Sequence, residues 1–260
     1  MTAVTASRRV SWGVSEITFI DRSLRRSIRN VDALLMAILL PVLLMFMFTF
    51  VFGGSIDPSG DYVNYVVPGI ILLCAGFGAS STAVDVATDM TTGIIDRFRT
   101  LPIPATAVLT GHVVASLIRN LVATAVVVGV ALAVGFRPTG GFLEWVGAIA
   151  IVSLYILAIT WLFAAIGLAA SSPEAANGYG FILLFLPYLS SAFVDVDTLP
   201  AWLGPLAEHQ PITPIIETIR SLLMGTPMGD SALLAVGWCL LILGIAIGWG
   251  TWLFRRKGAR

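Results

Sequence analysis

Long apolar runs separated by short polar connectors organise this chain. A helix needs about 20 mainly apolar residues to cross roughly 30 Å of hydrocarbon. Six runs predict such spans: 33–52, 62–84, 107–136, 142–170, 179–194 and 232–254. The fifth is short and leads into a long stretch broken by proline. The predicted fold is an all-α polytopic membrane protein with six transmembrane helices. It forms one transmembrane domain over residues 1–260: a cytoplasmic amphipathic helix in 1–30, a six-span bundle in 31–254 and a basic tail in 255–260.

Two shorter stretches show a different periodicity, an apolar stripe beside a charged face. In the first, Ile17, Ile20, Leu24 and Ile28 line one side and Arg22, Arg25, Arg26 and Arg29 the other. That pattern suits a helix lying in the membrane interface against anionic headgroups, and equally a simple topological anchor. The second is TTGIIDRFRTLPIPATAV, residues 91–108. Thr91 or Thr92 can cap a short helix there, and Gly93 permits a sharp entry into it. Ile94, Ile95, Phe98 and Leu101 form its apolar stripe, Asp96, Arg97 and Arg99 its polar face, and Pro102 and Pro104 end it. Asp85 and Asp89 follow Val84 without a break, and His112, Arg119 and Asn120 precede the unbroken apolar run 121–136. Both flanking helices are therefore expected to extend past the lipid and present the cross-helix. The pattern fits a docking helix for a cytosolic partner or a plain connector whose arginines anchor topology.

Composition strengthens the membrane reading and orients it. The chain is 57% hydrophobic and 12% charged, with a mean hydropathy of +0.93, whereas soluble domains average about 45–50% apolar and about 25% charged residues. Cytoplasmic loops hold the excess of Lys and Arg. Twelve of the 15 basic residues lie in the N-terminal segment, the 85–106 loop and the tail, while Arg137 and Arg220 share the opposite side with seven carboxylates. This predicts a multi-pass protein with cytoplasmic termini, the lipid bilayer being its first partner. Arg supplies 14 of the 15 basic residues and Ala, Gly and Val abound, which points to a GC-rich bacterial genome and hence a bacterial cytoplasmic membrane. Zero net charge suggests no nucleic-acid partner. Cys74 and Cys239 sit in apolar runs, where buried free thiols are expected.

Candidate chemistry within the spans is sparse. Arg119 is expected to snorkel to the inner border and His112 to lie there. No carboxylate falls near the centre of a span, which weakens a proton- or cation-coupled transporter. There is no catalytic constellation, no metal-ligand cluster and no GxxxxGK[ST] phosphate loop. A gate without an engine implies a separate ATPase. The outward segment DVDTLPAWLGPLAEHQPITPIIETIRSLLMGTPMGD, 195–230, is broken by Pro200, Pro205, Pro211 and Pro214 yet keeps many apolar residues. Two short helices are expected near 200–208 and 212–223, either dipping back to cap a pathway or lying flat on the outer leaflet. Pro200, Trp202 and Pro211 are candidate outer-gate residues.

GIIDRFRTLPI at 93–103, after a long second span, resembles the daunorubicin/doxorubicin-resistance permeases of the ABC transporter type-2 permease family. The stretch SSAFVDVDTLPAWLGPLAEHQPITPIIETIRSLLMG at 190–225 is similar to the same family's outer region. It departs at Asp195, where a Pro is usual, and at His209–Gln210–Pro211, where an Asn-Pro is usual. The resemblance implies a non-enzymatic transmembrane subunit of an ABC exporter. A second permease copy, identical or a sister chain, and a separate ABC ATPase carrying ATP and Mg are the implied partners. It also implies a coupling helix at Gly93, Ile94, Asp96, Arg97, Phe98, Arg99 and Leu101. Its first and fifth spans would line the route for an amphipathic drug or lipid, with Met36, Phe46, Met47, Phe50, Phe185, Tyr188 and Ser190 as candidate lining residues. The rival readings are an ion-coupled transporter or channel and a non-transporting membrane scaffold or enzyme.

Overall fold

A computed structural model describes residues 31–93 and 105–257. Among them every regular element is helical: α1 (Val31–Phe46), continued by a π-helical turn (Met47–Phe52) and α2 (Gly53–Ile56), then α3 (Tyr62–Thr91), α4 (Ala105–Val134), α5 (Phe142–Ala169), α6 (Pro173–Leu183), α7 (Gly204–His209), α8 (Ile212–Met224) and α9 (Ser231–Lys257). Five helical stretches among the described residues are long and apolar enough to cross a membrane: Leu35–Ile56, Tyr62–Thr91, Leu109–Val134, Phe142–Ala169 and Ser231–Arg256. The expected N-terminal amphipathic helix lies outside the described residues.

Helix α3 is the hub, packed by α1, α4, α5, α6 and α8. Its apolar window is 72% buried, against 17% in α1 and in α9. The reason lies in its small residues. Lipid tails are as apolar as leucine, so helices associate in a bilayer where Gly, Ala, Ser and Thr let backbones approach, and α3 carries Gly69, Ala75, Gly76, Gly78, Ala79 and Ala83 along its length. As expected from the polar residues after Val84, α3 runs without a break to Thr91. It ends at Gly93, whose φ of 70° is the left-handed geometry that closes helices.

Two prolines explain two departures from regular helix. Pro41 in α1 has no N–H to offer the carbonyl of Ala37 one turn earlier. The Cys74 thiol of α3 donates to that carbonyl instead, at 3.5 Å, which satisfies a backbone group where water is absent. Both cysteines are buried free thiols. Pro187 falls in the fifth apolar run, which does not form one continuous helix. Its missing N–H and bulky ring oppose helix at the Leu183 carbonyl, and α6 stops at Leu183, followed by a 3-10 turn at Leu186–Leu189. The broken segment still follows α3 over much of its height. Gly180 lies near Ser80, Leu184 packs beside Gly76 and Ala192 beside Gly69; the Tyr62 hydroxyl donates to the Phe193 carbonyl at 2.7 Å. From Ser80 to Tyr62, α3 rises about 27 Å at roughly 1.5 Å per residue.

At the Tyr62 end, α7 and α8 occupy the positions expected for the two short helices. Helix α8 turns Ile212, Ile215, Ile216, Ile219, Leu222 and Leu223 inward and packs on α3, α5 and α9. The α4–α5 connection is tied to its end: Gly140 N–H donates to the Leu223 carbonyl at 2.9 Å, and the Thr139 hydroxyl to the Met224 carbonyl at 2.5 Å.

Candidate functional site

Near the Thr91 end, α3 and α4 are joined by a buried polar seam. The Thr82 hydroxyl donates to Ser116 Oγ at 2.9 Å, and Asn120 Nδ2 donates to the same oxygen at 3.1 Å. Arg119 Nη2 donates to the Gly78 carbonyl at 2.9 Å and to Ser81 Oγ at 2.6 Å. One turn or more nearer the 94–104 segment, His112 Nε2 lies 3.2 Å from Asp89 Oδ2, both side chains buried. Gly78 makes the seam possible, because a Cβ there would sit 1.5 Å from Asn120 Oδ1. Sequence reasoning expected Arg119 to snorkel to the border; in the fold its guanidinium reaches across to α3, where the Gly78 carbonyl and the Ser81 hydroxyl are its partners.

Behind the seam, a cavity of about 330 Å³ opens between α1, α3 and α6. Met36, Leu40 and Phe77 supply apolar walls, and Ser81, Asp85 and Asn177 the polar ones. From it an aromatic ladder runs toward the Tyr62 end. Phe181 meets Phe185 at 5.1 Å between ring centroids, Phe185 meets Tyr188 at 6.1 Å, and Tyr188 meets Phe193 at 5.2 Å. Phe193 stacks on Phe48 of the π-helical turn at 4.2 Å, and Phe48 reaches Phe52 at 5.8 Å. These separations are those of interacting rings. The ladder therefore bridges the first apolar run to the broken fifth. Met36 and Phe50 on α1 and its extension are each 65% exposed, and Phe185 on the fifth run 51%: a wide soft face left uncovered among the described residues.

At the Tyr62 end, Arg220 of α8 is a clamp. Its guanidinium carbon lies 3.9 Å from the Tyr65 ring centroid, Nε donates to the Tyr65 carbonyl at 3.3 Å, and Nη2 to the Ser191 carbonyl at 2.6 Å. One side chain thus holds α8, α3 and the end of the broken segment together. Gln210 Nε2 adds a bond to the Leu189 carbonyl.

Residues 16–224 match the family model described as ABC-2 type transporter. The chain belongs to the ABC-2 type transporter family. It is 34% identical over 180 residues to the daunorubicin resistance ABC transporter permease protein DrrB1 of Streptomyces coeruleorubidus, covering 68% of this chain and 64% of that protein. It is 27% identical over 163 residues to the probable doxorubicin resistance ABC transporter permease protein DrrC of Mycobacterium tuberculosis, covering 63% and 59%. The chain thus spans somewhat under two thirds of the length of these curated relatives. Family and apolar helices together make it a membrane protein.

The residues expected to matter in this ABC-2 chain fall in three places. Of the coupling set, Gly93 ends α3, while Ile94, Asp96, Arg97, Phe98, Arg99 and Leu101 lie outside the described residues. Met36, Phe46, Met47, Phe50, Phe185 and Tyr188 all lie on the exposed face of the first and fifth runs. Ser190 does not join them: it is buried, its hydroxyl donating to the Pro187 carbonyl and accepting from Ala192 N–H, so it shapes the turn that proline forces. Pro200 and Trp202 are exposed, and Pro211 precedes α8. Sequence reasoning assigned no contacts to Phe48, Phe193, Asn120 and Arg220. Arg220 left a signal: it shares a stripe with Ile216 and Leu223, and a cation on the apolar stripe of an amphipathic helix needs buried partners. Asn120 left none, because Gly78 lies 42 positions away.

Proposed function

We propose that this chain is the transmembrane subunit of an ATP-driven ABC exporter that moves an amphipathic drug, lipid or secondary metabolite outward across a bacterial cytoplasmic membrane. The family match over residues 16–224 carries this reading, and the permease names of both relatives support it. In this reading the bundle has six crossings with both termini cytoplasmic, and the proline-broken segment beside α3 is the fifth. The α7–α8 pair is re-entrant from the outer surface and caps the route. Residues 91–104 dock on a separate ABC ATPase, which binds ATP and Mg. A second permease copy covers the exposed Met36–Phe50 and Phe181–Tyr188 faces, so that cargo passes between two soft aromatic surfaces. ATP binding draws the two ATPases together, and the docking loops bias the bundle between inward- and outward-facing states by differential contacts.

The polar seam supports a mechanical role for the α3–α4 hairpin. A buried hydrogen-bonded pair of helices transmits displacement as one body, and this pair flanks the docking segment directly. The test is transport into inverted vesicles holding the chain together with a co-expressed ABC ATPase. Asp96→Ala and Arg97→Ala are expected to leave insertion intact and to reduce ATP-driven uptake by about tenfold, equivalent to a loss of about 1.4 kcal/mol in coupling. Unchanged uptake in both variants would sink the docking assignment. Uptake driven by a proton gradient with no ATPase present would favour the secondary-transporter reading.

A further inference from the structure

Helices α4 and α5 do not close against each other along their lengths. Between them lies a groove of about 360 Å³, lined by Leu121, Thr124, Ala125 and Val128 of α4 and by Trp145, Ala148, Ile149 and Val152 of α5. Ile71 of α3 forms part of its wall, with Ile219 and Leu223 of α8. Both main walls repeat one spacing, i, i+3, i+4, i+7, so each helix offers a single stripe. The gap comes from size: Ala125 and Ala148 occupy the middle of stripes whose ends are Leu121, Val128, Trp145 and Val152.

We propose that this groove binds an acyl chain of a membrane phospholipid, a site separate from the cargo route. Apart from Ile219 and Leu223, its walls lie within three of the helices long and apolar enough to cross a membrane, so the medium that meets its open side is hydrocarbon. Its open side is flanked by exposed Val122, Val126 and Val146, which continue the apolar surface. Its capacity suits the occupant. A cavity of about 150 Å³ seats a six-carbon ring, so this one seats roughly a dozen carbons. Its length excludes a partner helix: seven residues of α4, Leu121 to Val128, rise about 10 Å, a fraction of any span. Only Thr124 and Trp145 among the lining residues carry a polar side-chain atom, which leaves no anchor for a charged or polyhydroxylated molecule. The acyl chain touches Ile219 and Leu223, which flank Arg220 on α8, and so braces α8 beside the Arg220 clamp.

The experiment uses the full chain in phosphatidylcholine–phosphatidylglycerol vesicles containing a phosphatidylcholine with a mid-chain diazirine. After illumination, adducts are mapped by peptide mass spectrometry. Adducts on 121–128 and 145–152 are expected to exceed those on the exposed α9 face at Leu240, Leu241 and Ile245 by about fivefold, the ratio given by a preference of about 1 kcal/mol. Ala125→Phe, which fills the exposed mouth, is expected to bring them down to the α9 level, and Val122→Phe, beside the groove, to leave them unchanged. Equal labelling of groove and α9 in the unaltered chain overturns the proposal without any variant. Labelling that survives Ala125→Phe also overturns it. Displacement of the label by a polycyclic dye such as ethidium would assign the groove to cargo instead of lipid.

Discussion

Helices α1 and α3 look alike to a hydropathy scale, and the more apolar of the two is the less buried. The α1 stretch has a mean hydropathy of 2.7 over its best window and is 17% buried; α3 has 1.7 and is 72% buried. In water the order would be reversed. In a bilayer apolarity does not drive a helix inward, because hydrocarbon already solvates it; close approach and hydrogen bonding do. Helix α3 brings Gly69, Gly76 and Gly78 against neighbours and carries Thr82 and Asp89 into buried partnerships. Helix α1 leaves Met36, Leu39, Leu43 and Phe50 exposed among the described residues. One helix is a hub and the other a face.

The comparison is most easily broken at Gly78. Gly78→Val puts side-chain atoms into the space of the Asn120 amide and is expected to destabilise the protein by about 3 kcal/mol or to abolish its expression, since overpacking costs about 1–3 kcal/mol or more. Thermal unfolding of the detergent-solubilised protein measures it. Gly78→Ala combined with Asn120→Ala should recover most of the loss of Gly78→Ala alone; strict additivity would show that the two sites are not in contact.

Arg220 gives the next largest effect. Arg220→Ala leaves the Ser191 and Tyr65 carbonyls without their charged donor, a loss of about 1.5–3 kcal/mol. It should appear as faster hydrogen exchange over 212–224, with the seam residues of α3 unaffected. Arg220→Lys restores only part of the protection, because an ammonium lacks the planar fork that serves two carbonyls and a ring at once.

The α1 face sharpens the contrast from the other side. Met36→Ala and Phe50→Ala should change stability by less than about 0.5 kcal/mol, as surface substitutions do. If the proposed exporter reading holds, both should lower ATP-driven export, and a Met36→Cys variant should cross-link between copies if the face meets a second chain. A stability loss as large as that of Gly78→Val would mean that α1 is a hub as well.

Much of this architecture was legible in the order of residues. The apolar runs located every long helix, the polar residues after Val84 announced the extension of α3 to Thr91, and the spacing of Ile212 to Leu223 announced α8. The resemblance carried by 93–103 and 190–225 agrees with the family to which the chain belongs. The fifth run was read as a short span leading into a proline-broken stretch, and its own break at Pro187 was not foreseen, because length and apolarity say nothing of where a freed carbonyl finds a partner. The contacts of Arg119 were not legible, because the Gly78 carbonyl and Ser81 hydroxyl that it binds lie about 40 positions earlier in the chain.

The sequence alone therefore determined which segments are apolar enough to cross a membrane and where most helices end, since these follow from local apolarity, proline and glycine. Only the tertiary structure decided which apolar helix became the core and which polar side chains joined within it. Those outcomes depend on pairs such as Gly78 with Asn120 and Arg220 with Ser191, and a contact between distant positions has no local signature.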